Sequence, residues 1–412
     1  MHSTELRRKR GLLTLEGGQG EQGRIASPPI PNPQYPIRIL HVLGGMNRGG
    51  VETWLMHVLR HIDRDRFLMD FLVHTTESCA YDQEIRALGS KIIPCLHPSQ
   101  PLLYARNWHR IWREYGPYDI VHSHVHHYSG YVLRLAKRVG VPTSIAHSHN
   151  DISPLQAKAG WLRRLYLTVT AWWVARYATL GLACSDKAAA SLFGANWQTQ
   201  THRLVLPYGV DLAPFQDTVE KDTVRAEFDI PADAFVIGHV GRFDTQKNHG
   251  FILEIAAEVV KKEPKTRLLL VGDGYLRTEI AAQVQQLDLS ENIIFAGIRS
   301  DVPRLMLGGM DVFFFPSLYE GLGLVLVEAQ AAGLPCILSD VVPQEADIVK
   351  PLVRRISLSQ SPEKWAEEIL QQQSRQPAIN QSEALAQLKN SPFNIENAVK
   401  QLEEIYYIAN SD

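Results

Sequence analysis

Two glutamates, Glu320 and Glu328, stand with seven residues between them in the run Tyr319-Glu320-Gly321-Leu322-Gly323-Leu324-Val325-Leu326-Val327-Glu328. The first falls in a glycine-rich turn after an apolar strand, and the second about two turns into the helix that follows. Both carboxylates then face one cleft at the carboxyl end of a parallel sheet, where open α/β folds bind ligands. An ionised carboxylate only accepts hydrogen bonds, which suits the paired hydroxyls of a ribose or a hexose. Bare backbone N–H groups near Gly321, Leu322 and Gly323, at a helix start, suit a phosphate. Upstream, Gly241-Arg242-Phe243-Asp244-Thr245-Gln246-Lys247-Asn248 sets a planar guanidinium fork and a mobile ammonium in one loop. Alone such a loop is as well explained by solvation and a helix cap. Beside the glutamates, Arg242 and Lys247 read as partners for a diphosphate, so the set suggests a sugar carried on a nucleotide.

Other segments border the same cleft. Val271-Gly272-Asp273-Gly274 ends the next strand, where Gly272 and Gly274 let a ligand approach the backbone; it is not a GxGxxG fingerprint, so a nicotinamide cofactor is disfavoured. Phe295-Ala296-Gly297-Ile298-Arg299 ends the strand after that, and Ile298 borders a flat base. Either segment serves equally as a tight turn. Gly49 and Gly50 follow the first strand of the chain and approach from the other side, with Glu52 favouring the dipole of the helix they open. Histidines cluster in His122-Ser123-His124-Val125-His126-His127 and in His147-Ser148-His149, both at strand ends. They read as polar groups lining the cleft. A metal centre needs a closed set of three or four ligands, and no Asp or Glu completes one.

The elements that must position these groups alternate. Apolar runs at 37–43, 69–73, 119–122, 144–147 and 180–184 are separated by helical patterns, and a second series runs 235–240, 267–271, 292–295, 311–315 and 335–338. Strands alternating with helices imply parallel sheets covered on both faces. Residues 1–35, rich in Gly, Pro, Gln and charge, read as a disordered tail. Residues 36–213 form a first Rossmann-like domain, 214–390 a second, and 391–412 a terminal helix packing back on the first. The 412 residues are 45% hydrophobic and 21% charged with a net charge of −2. That balance is ordinary for a globular chain and does not favour a nucleic acid as partner. The four scattered cysteines read as buried free thiols in a reducing cytoplasm. No secretory leader or membrane span is evident. The helical pattern from Leu162 to Tyr177, apolar with arginines at both ends, reads first as a packed helix and second as one that touches an anionic membrane face. Arg7 to Arg10 would add a weak contact there.

Gly49-Gly50 with Glu52, the Gly241-Arg242…Lys247 loop, Val271-Gly272-Asp273-Gly274 and the Glu320/Glu328 pair, in this order and spacing, resemble the retaining glycosyltransferases of family four, of GT-B fold. The resemblance runs from about Ile37 to the C-terminus. Gly44-Gly45-Met46-Asn47-Arg48 and Ala146-His147-Ser148-His149-Asn150 look most like bacterial exopolysaccharide and capsule enzymes. The resemblance implies that Glu328 holds ribose hydroxyls and Glu320 a hydroxyl of the transferred sugar. It implies that Arg242 and Lys247 bind the diphosphate, and that a histidine contacts the donor sugar: His149 first, His147 second. It further implies transfer, with retention and without a cofactor or metal, from a nucleoside-diphosphate sugar, with UDP expected, to a glycan or lipid-linked acceptor. The enzyme would be cytoplasmic, at the inner membrane face. The rival readings are a nucleotide-sugar 2-epimerase on the same fold, a metal-dependent hydrolase built on the histidines, and a non-catalytic sugar-nucleotide-binding module.

Overall fold

In a computed structural model, residues 35–153, 156, 160–375 and 379–411 are described. The expected tail and its Arg7–Arg10 cluster lie outside them, apart from Tyr35.

The chain builds two parallel sheets. The first has seven strands, β1 (Ile37–Leu43), β2 (Phe67–Val73), β3 (Ile92–Pro94), β4 (Ile120–Ser123), β5 (Thr143–Ser148), β6 (Leu180–Ala183) and β7 (Arg203–Val205), in the order β3-β2-β1-β4-β5-β6-β7. The second has six, β8 (Val236–Val240), β9 (Arg267–Val271), β10 (Ile293–Gly297), β11 (Val312–Phe315), β12 (Cys336–Ser339) and β13 (Val353–Ile356), in the order β10-β9-β8-β11-β12-β13. In each sheet the strand order reverses beside the first strand, between β1 and β4 and between β8 and β11. A crevice opens at the strands' carboxyl ends at such a point. The loops after β1, β8 and β11 carry Gly49, Arg242 with Lys247, and Glu320.

Burial on both faces explains the composition of the central strands. Phe313, Phe314 and Phe315 of β11 are each at most 1% exposed, as expected of a strand with helices on both sides. The cores are made by Leu40, Val42, Trp108, Val121 and Leu133 in the first domain and by Ile237, Ile252, Leu270, Phe314 and Trp365 in the second. All four cysteines are buried and free.

Three strands escape the sequence pattern: β3, β7 and β13. Each is three or four residues long and lies at a sheet edge. An edge strand is half-covered, so it does not need the unbroken apolar run that marks a central one. Three helices were likewise not expected, Asp186–Phe193, Lys221–Ala226 and Gln381–Lys389. Two of them carry start signals: Ser185 accepts from the Ala188 N–H, and Asn380 with Glu383 forms a capping box.

The chain returns at its end. Val210 forms a bridge with Asn394, and the helix Ile395–Ser411 packs against the helix Gly50–His61 of the first domain. Tyr406 Oη bonds to His122 Nδ1 at 2.8 Å, and Thr143 Oγ1 donates to the Ala409 carbonyl at 2.7 Å.

Candidate active site in the inter-domain cleft

The loop after β8 is tied down before any ligand arrives. The Asp244 side chain caps the turn Thr245–Lys247 by accepting from the Lys247 N–H, and Asn248, in the left-handed region at φ 61°, donates through Nδ2 to the Pro316 carbonyl at 3.2 Å. This sets Lys247 Nζ 2.6 Å from Glu320 Oε1 and 4.5 Å from the centre of the Phe315 ring. The side chains of Lys247 and Glu320 are only 13% and 7% exposed. The pair expected to share one ligand thus shares a buried ion pair.

Glu320 leads into Gly321, Leu322 and Gly323. Gly323 caps the helix Leu324–Ala331 in the left-handed conformation at φ 86°, which favours glycine. The helix starts at Leu324, so Glu328 is its fifth residue, about one turn in rather than two. The carboxyl of Glu328 has no hydrogen-bond or ion-pair partner among the described residues. Burial raises its pKa to about 7.

The first domain closes over this machinery. A side chain at Gly49 would run into the Glu52 carboxylate and come within 3.0 Å of Arg242 Nη2, whereas one at Gly50 would meet nothing within 4 Å. Arg242 therefore reaches the start of the helix Gly50–His61. Burial raises the pKa of Glu52, and its own backbone N–H and the Arg242 charge oppose that rise. A side chain at Gly321 would collide with the His149 carbonyl and lie 2.9 Å from Asn150 Cα. Around this contact Ser185 Oγ donates to the Gly321 carbonyl, Asn150 Nδ2 to Gln246 Oε1 at 3.2 Å, Lys187 Nζ to the Val341 carbonyl at 2.7 Å, and the Asp186 N–H to Glu345 Oε1 at 3.0 Å. Ser185, Asn150 and Gln246 were not singled out from sequence; a serine or an amide in a loop carries no signal until its partner across the cleft is known.

Other expectations need correction. Gly272, at φ 136°, and Gly274 make room for protein rather than ligand. Side chains there would strike the Gly241 carbonyl and the Phe243 backbone. Ile298 is 63% exposed just beyond β10, and Tyr275, 73% exposed, lies just beyond β9. Together they place two bare apolar surfaces at adjacent strand ends.

The histidines mostly do not line the cleft. His41, His122 and His147 are fully buried and His124 is nearly so, on the sheet face beneath the helices Gly50–His61 and Ile395–Ser411. His41 Nδ1 bonds to His124 Nε2 at 2.9 Å, His124 Nδ1 to His149 Nε2 at 2.7 Å, and His149 Nδ1 to the Tyr208 hydroxyl. A second chain joins His147 Nδ1 to His122 Nε2 at 3.1 Å and ends on Tyr406. Burial holds these rings well below the usual histidine pKa, those of His41 and His147 at about 3, so the chains are neutral. The triads His41/His122/His124 and His124/His147/His149 each bring one nitrogen per ring within 4.8 Å of the others. Within the first only His41 and His124 are bonded to each other, and within the second only His124 and His149; His41 Nε2 and His147 Nε2 are buried without a partner. Trp54, stacked on Tyr208 at 4.7 Å, seals the cluster. His147 is shut away from any sugar. His149, half-buried at the Gly321 contact, offers its carbonyl there while both ring nitrogens are engaged.

Comparison with known proteins agrees with this architecture. Residues 48–213 match the family model Glycosyltransferase Family 4, and residues 220–387 match Glycosyl transferases group 1. EpsF of Bacillus subtilis (strain 168), named as a glycosyltransferase, is 40% identical over 335 residues, 81% of this chain and 86% of that one. The UDP-Gal:alpha-D-GlcNAc-diphosphoundecaprenol alpha-1,3-galactosyltransferase of Escherichia coli is 29% identical over 229 residues, 54% of this chain and 58% of that protein. The crystal structure of Anabaena Alr3699/HepE with UDP and glucose superposes with a TM-score of 0.75 at 19% identity, over 90% of this chain and 99% of that one. With two Rossmann-like domains facing a cleft and both halves matched in order, the chain belongs to the family-four glycosyltransferases of GT-B fold.

Proposed function

We propose that the protein transfers a sugar, with retention, from a nucleoside-diphosphate sugar to a glycan or lipid-linked acceptor in cell-surface polysaccharide synthesis. UDP is the nucleotide, no metal takes part, and the enzyme works in the cytoplasm against the inner membrane face. The observation that supports the reading is the buried Lys247–Glu320 pair with Arg242 on the loops after β8 and β11, and Glu328 stands buried and unpartnered one helix turn beyond. The relatives add support: one is named for a UDP-galactose donor and a diphosphoundecaprenol-linked acceptor, and a structural neighbour holds UDP and glucose.

Glu328 accepts from the ribose hydroxyls, while Tyr275 and Ile298 flank the base. Arg242 and Lys247 take the diphosphate, helped by backbone N–H groups from Gly321 to Gly323 and the helix dipole behind them. Breaking the glycosyl–phosphate bond puts negative charge on the phosphate and oxocarbenium character on the sugar. Fixed cations and N–H donors stabilise the first without a metal. Glu320 holds a sugar hydroxyl and keeps Lys247 in place, and His149 borders the sugar. No cleft carboxylate stands out as a covalent nucleophile, so the incoming hydroxyl attacks on the face the phosphate leaves. Contact between the domains keeps water out.

A thermal-shift screen of nucleotide sugars followed by turnover of the best labelled donor tests this. A donor at 100 times its dissociation constant adds about 2.7 kcal/mol of apparent stability. Absence of any stabilising UDP-sugar, or a product of inverted configuration, overturns the reading. The 2-epimerase stays as a second reading because Glu52 adds a cleft carboxyl with a raised pKa, the kind of group that reaction requires. Solvent deuterium entering the donor sugar at C2 would decide for it.

A further inference from the structure

Glu52 is a cleft carboxylate with no ion-pair partner among the described residues. It is the third residue of the helix Gly50–His61, which follows β1 beside the point where the strand order of the first sheet reverses. A negative charge there suits the positive end of the helix. That role alone is served best by a carboxylate open to water, and this one is largely shielded from it. Burial is the strongest influence on its pKa and raises it; the opposing groups are its own backbone N–H and, from the second domain, Arg242.

One contact fixes where the carboxyl stands. A side chain at Gly49 would run into Glu52 Oε2 and lie 3.0 Å from Arg242 Nη2. Carboxylate and guanidinium therefore flank the same bare backbone from opposite domains. On the reading above Arg242 takes the diphosphate, so Glu52 stands beside the leaving phosphate from the first-domain side. In a displacement that retains configuration the incoming hydroxyl arrives on that same face, and its proton needs an acceptor there. Glu320 is occupied by Lys247 at 2.6 Å, and Glu328 is given to the ribose. The leaving phosphate is the competing acceptor, but two cations upon it make it a poorer base, whereas shielding makes a carboxylate a better one. Behind the loop, Glu52 also faces the Cys79 thiol. Burial pushes that thiol up, as do Asp82, Glu77 and Glu52, which leaves it neutral.

We propose that Glu52 is the general base of the transfer and takes the proton of the acceptor hydroxyl. The hydroxyl oxygen bonds to C1 of the sugar as the bond from C1 to the phosphate oxygen breaks. The electron pair of that bond leaves with the nucleoside diphosphate, and the proton passes to Glu52, which ends the step neutral. Arg242 times this. Without donor its charge holds the carboxyl down; a diphosphate that takes the guanidinium and brings negative charge makes Glu52 more basic. The base is then strongest in the loaded enzyme. This deepens the transferase reading above and rests on it.

The test follows UDP release from UDP-glucose, UDP-galactose and UDP-N-acetylglucosamine in turn, to water and to octyl glucoside as acceptors. The donor is held at saturation at every pH, so that titration of Glu328 does not enter. In the wild type kcat should rise with pH along an acid limb whose midpoint lies above the ordinary glutamate range. In Glu52→Gln kcat should fall about 10²–10⁴-fold and lose that limb, while the calorimetric Kd for the donor stays within about threefold, which also shows the fold intact. Glu52→Asp should keep the limb at a rate about tenfold lower. A glutamine variant within threefold of the wild-type kcat overturns the proposal, as does one that keeps the same limb or one whose loss lies in donor binding alone. A wild type that releases no UDP from any of the three donors sinks the transferase reading itself, whereas a fast variant beside an active wild type sinks only the base.

Discussion

Replacing Glu328 by glutamine should make the protein more stable and unable to hold its donor. The carboxyl is raised from an ordinary 4.5 to about 7 by burial. The fold therefore favours the protonated acid. Below the unfolded value both states are protonated and nothing is lost; stability falls as pH rises from about 4.5 to about 7, and above that the whole cost is present. A shift of about 2.5 units sets an upper bound of about 3 kcal/mol. The residue keeps part of its exposure, so about half of that, or a Tm rise of a few degrees, is expected of Glu328→Gln at alkaline pH. Binding runs the other way. Ribose hydroxyls donate to the ionised form, so donor binding draws on the ionised fraction. Around a pKa of about 7 that fraction falls roughly tenfold between about pH 8 and about pH 6. UDP-glucose is the right probe because its diphosphate diester does not itself titrate there. Calorimetry should find its dissociation constant about tenfold larger at the lower pH for the wild type, and weak and flat for Glu328→Gln. A flat wild type, or a variant with the same slope, would refute the assignment of Glu328 to the ribose.

Lys247→Ala strands a buried Glu320 and should cost about 3 kcal/mol or more in urea unfolding, with turnover down about 10²–10³-fold. The double variant Lys247→Met/Glu320→Leu should recover the stability and not the turnover, whereas recovery of both would remove the pair from catalysis. Gly321→Ala drives a methyl group into the His149 carbonyl, at a cost of about 1–3 kcal/mol. Because the domains meet there, kcat should fall about 10²-fold in steady-state assays; unaltered kinetics would mean that this contact is not made during turnover. Prolonged dialysis against EDTA should leave transfer unchanged, since in the proposed reading fixed cations and N–H donors carry the leaving-group charge. Loss of activity restored by zinc or manganese would overturn that.

The parts legible in sequence are those whose signal is local. The central strands announced themselves as apolar runs because both faces are covered, and the position of Arg242, Lys247 and Glu320 in loops at strand ends followed from where those runs stop. The edge strands β3, β7 and β13 stayed hidden for the opposite reason. The histidines misled by alternation: His122 and His124, like His147 and His149, do fall on one sheet face, but period two says which residues share a face and not what covers it. Helices far away in sequence cover that face, with Trp54 from one and Tyr406 from the other. The glycines of Gly272-Asp273-Gly274 were legible as places of close approach, and the approaching group, the loop at Gly241 and Phe243, was not. The helix Trp161–Tyr177 was legible in composition alone, since its pattern fits a packed helix as well as an exposed one.

The charges of the cleft are arranged in two layers across the domain boundary. Lys247 answers to Glu320 within the second domain, whereas Arg242 reaches across to Gly49 and Glu52 in the first. On the proposed reading Lys247 is held near its working position by Glu320 before a diphosphate arrives, so little reorganisation of that cation remains when charge develops on the leaving phosphate. The two carboxylates are not equivalent. Glu320 keeps a partner that stays in its own domain. Glu52 makes no ion pair among the described residues; burial pushes its pKa upward, against its own backbone N–H and the Arg242 charge. If, as proposed, a phosphate takes Arg242, one of the two effects opposing that rise weakens and Glu52 gains a proton more readily. On that reading donor binding is coupled to the charge state at the N-terminal end of the helix Gly50–His61, where Glu52 stands.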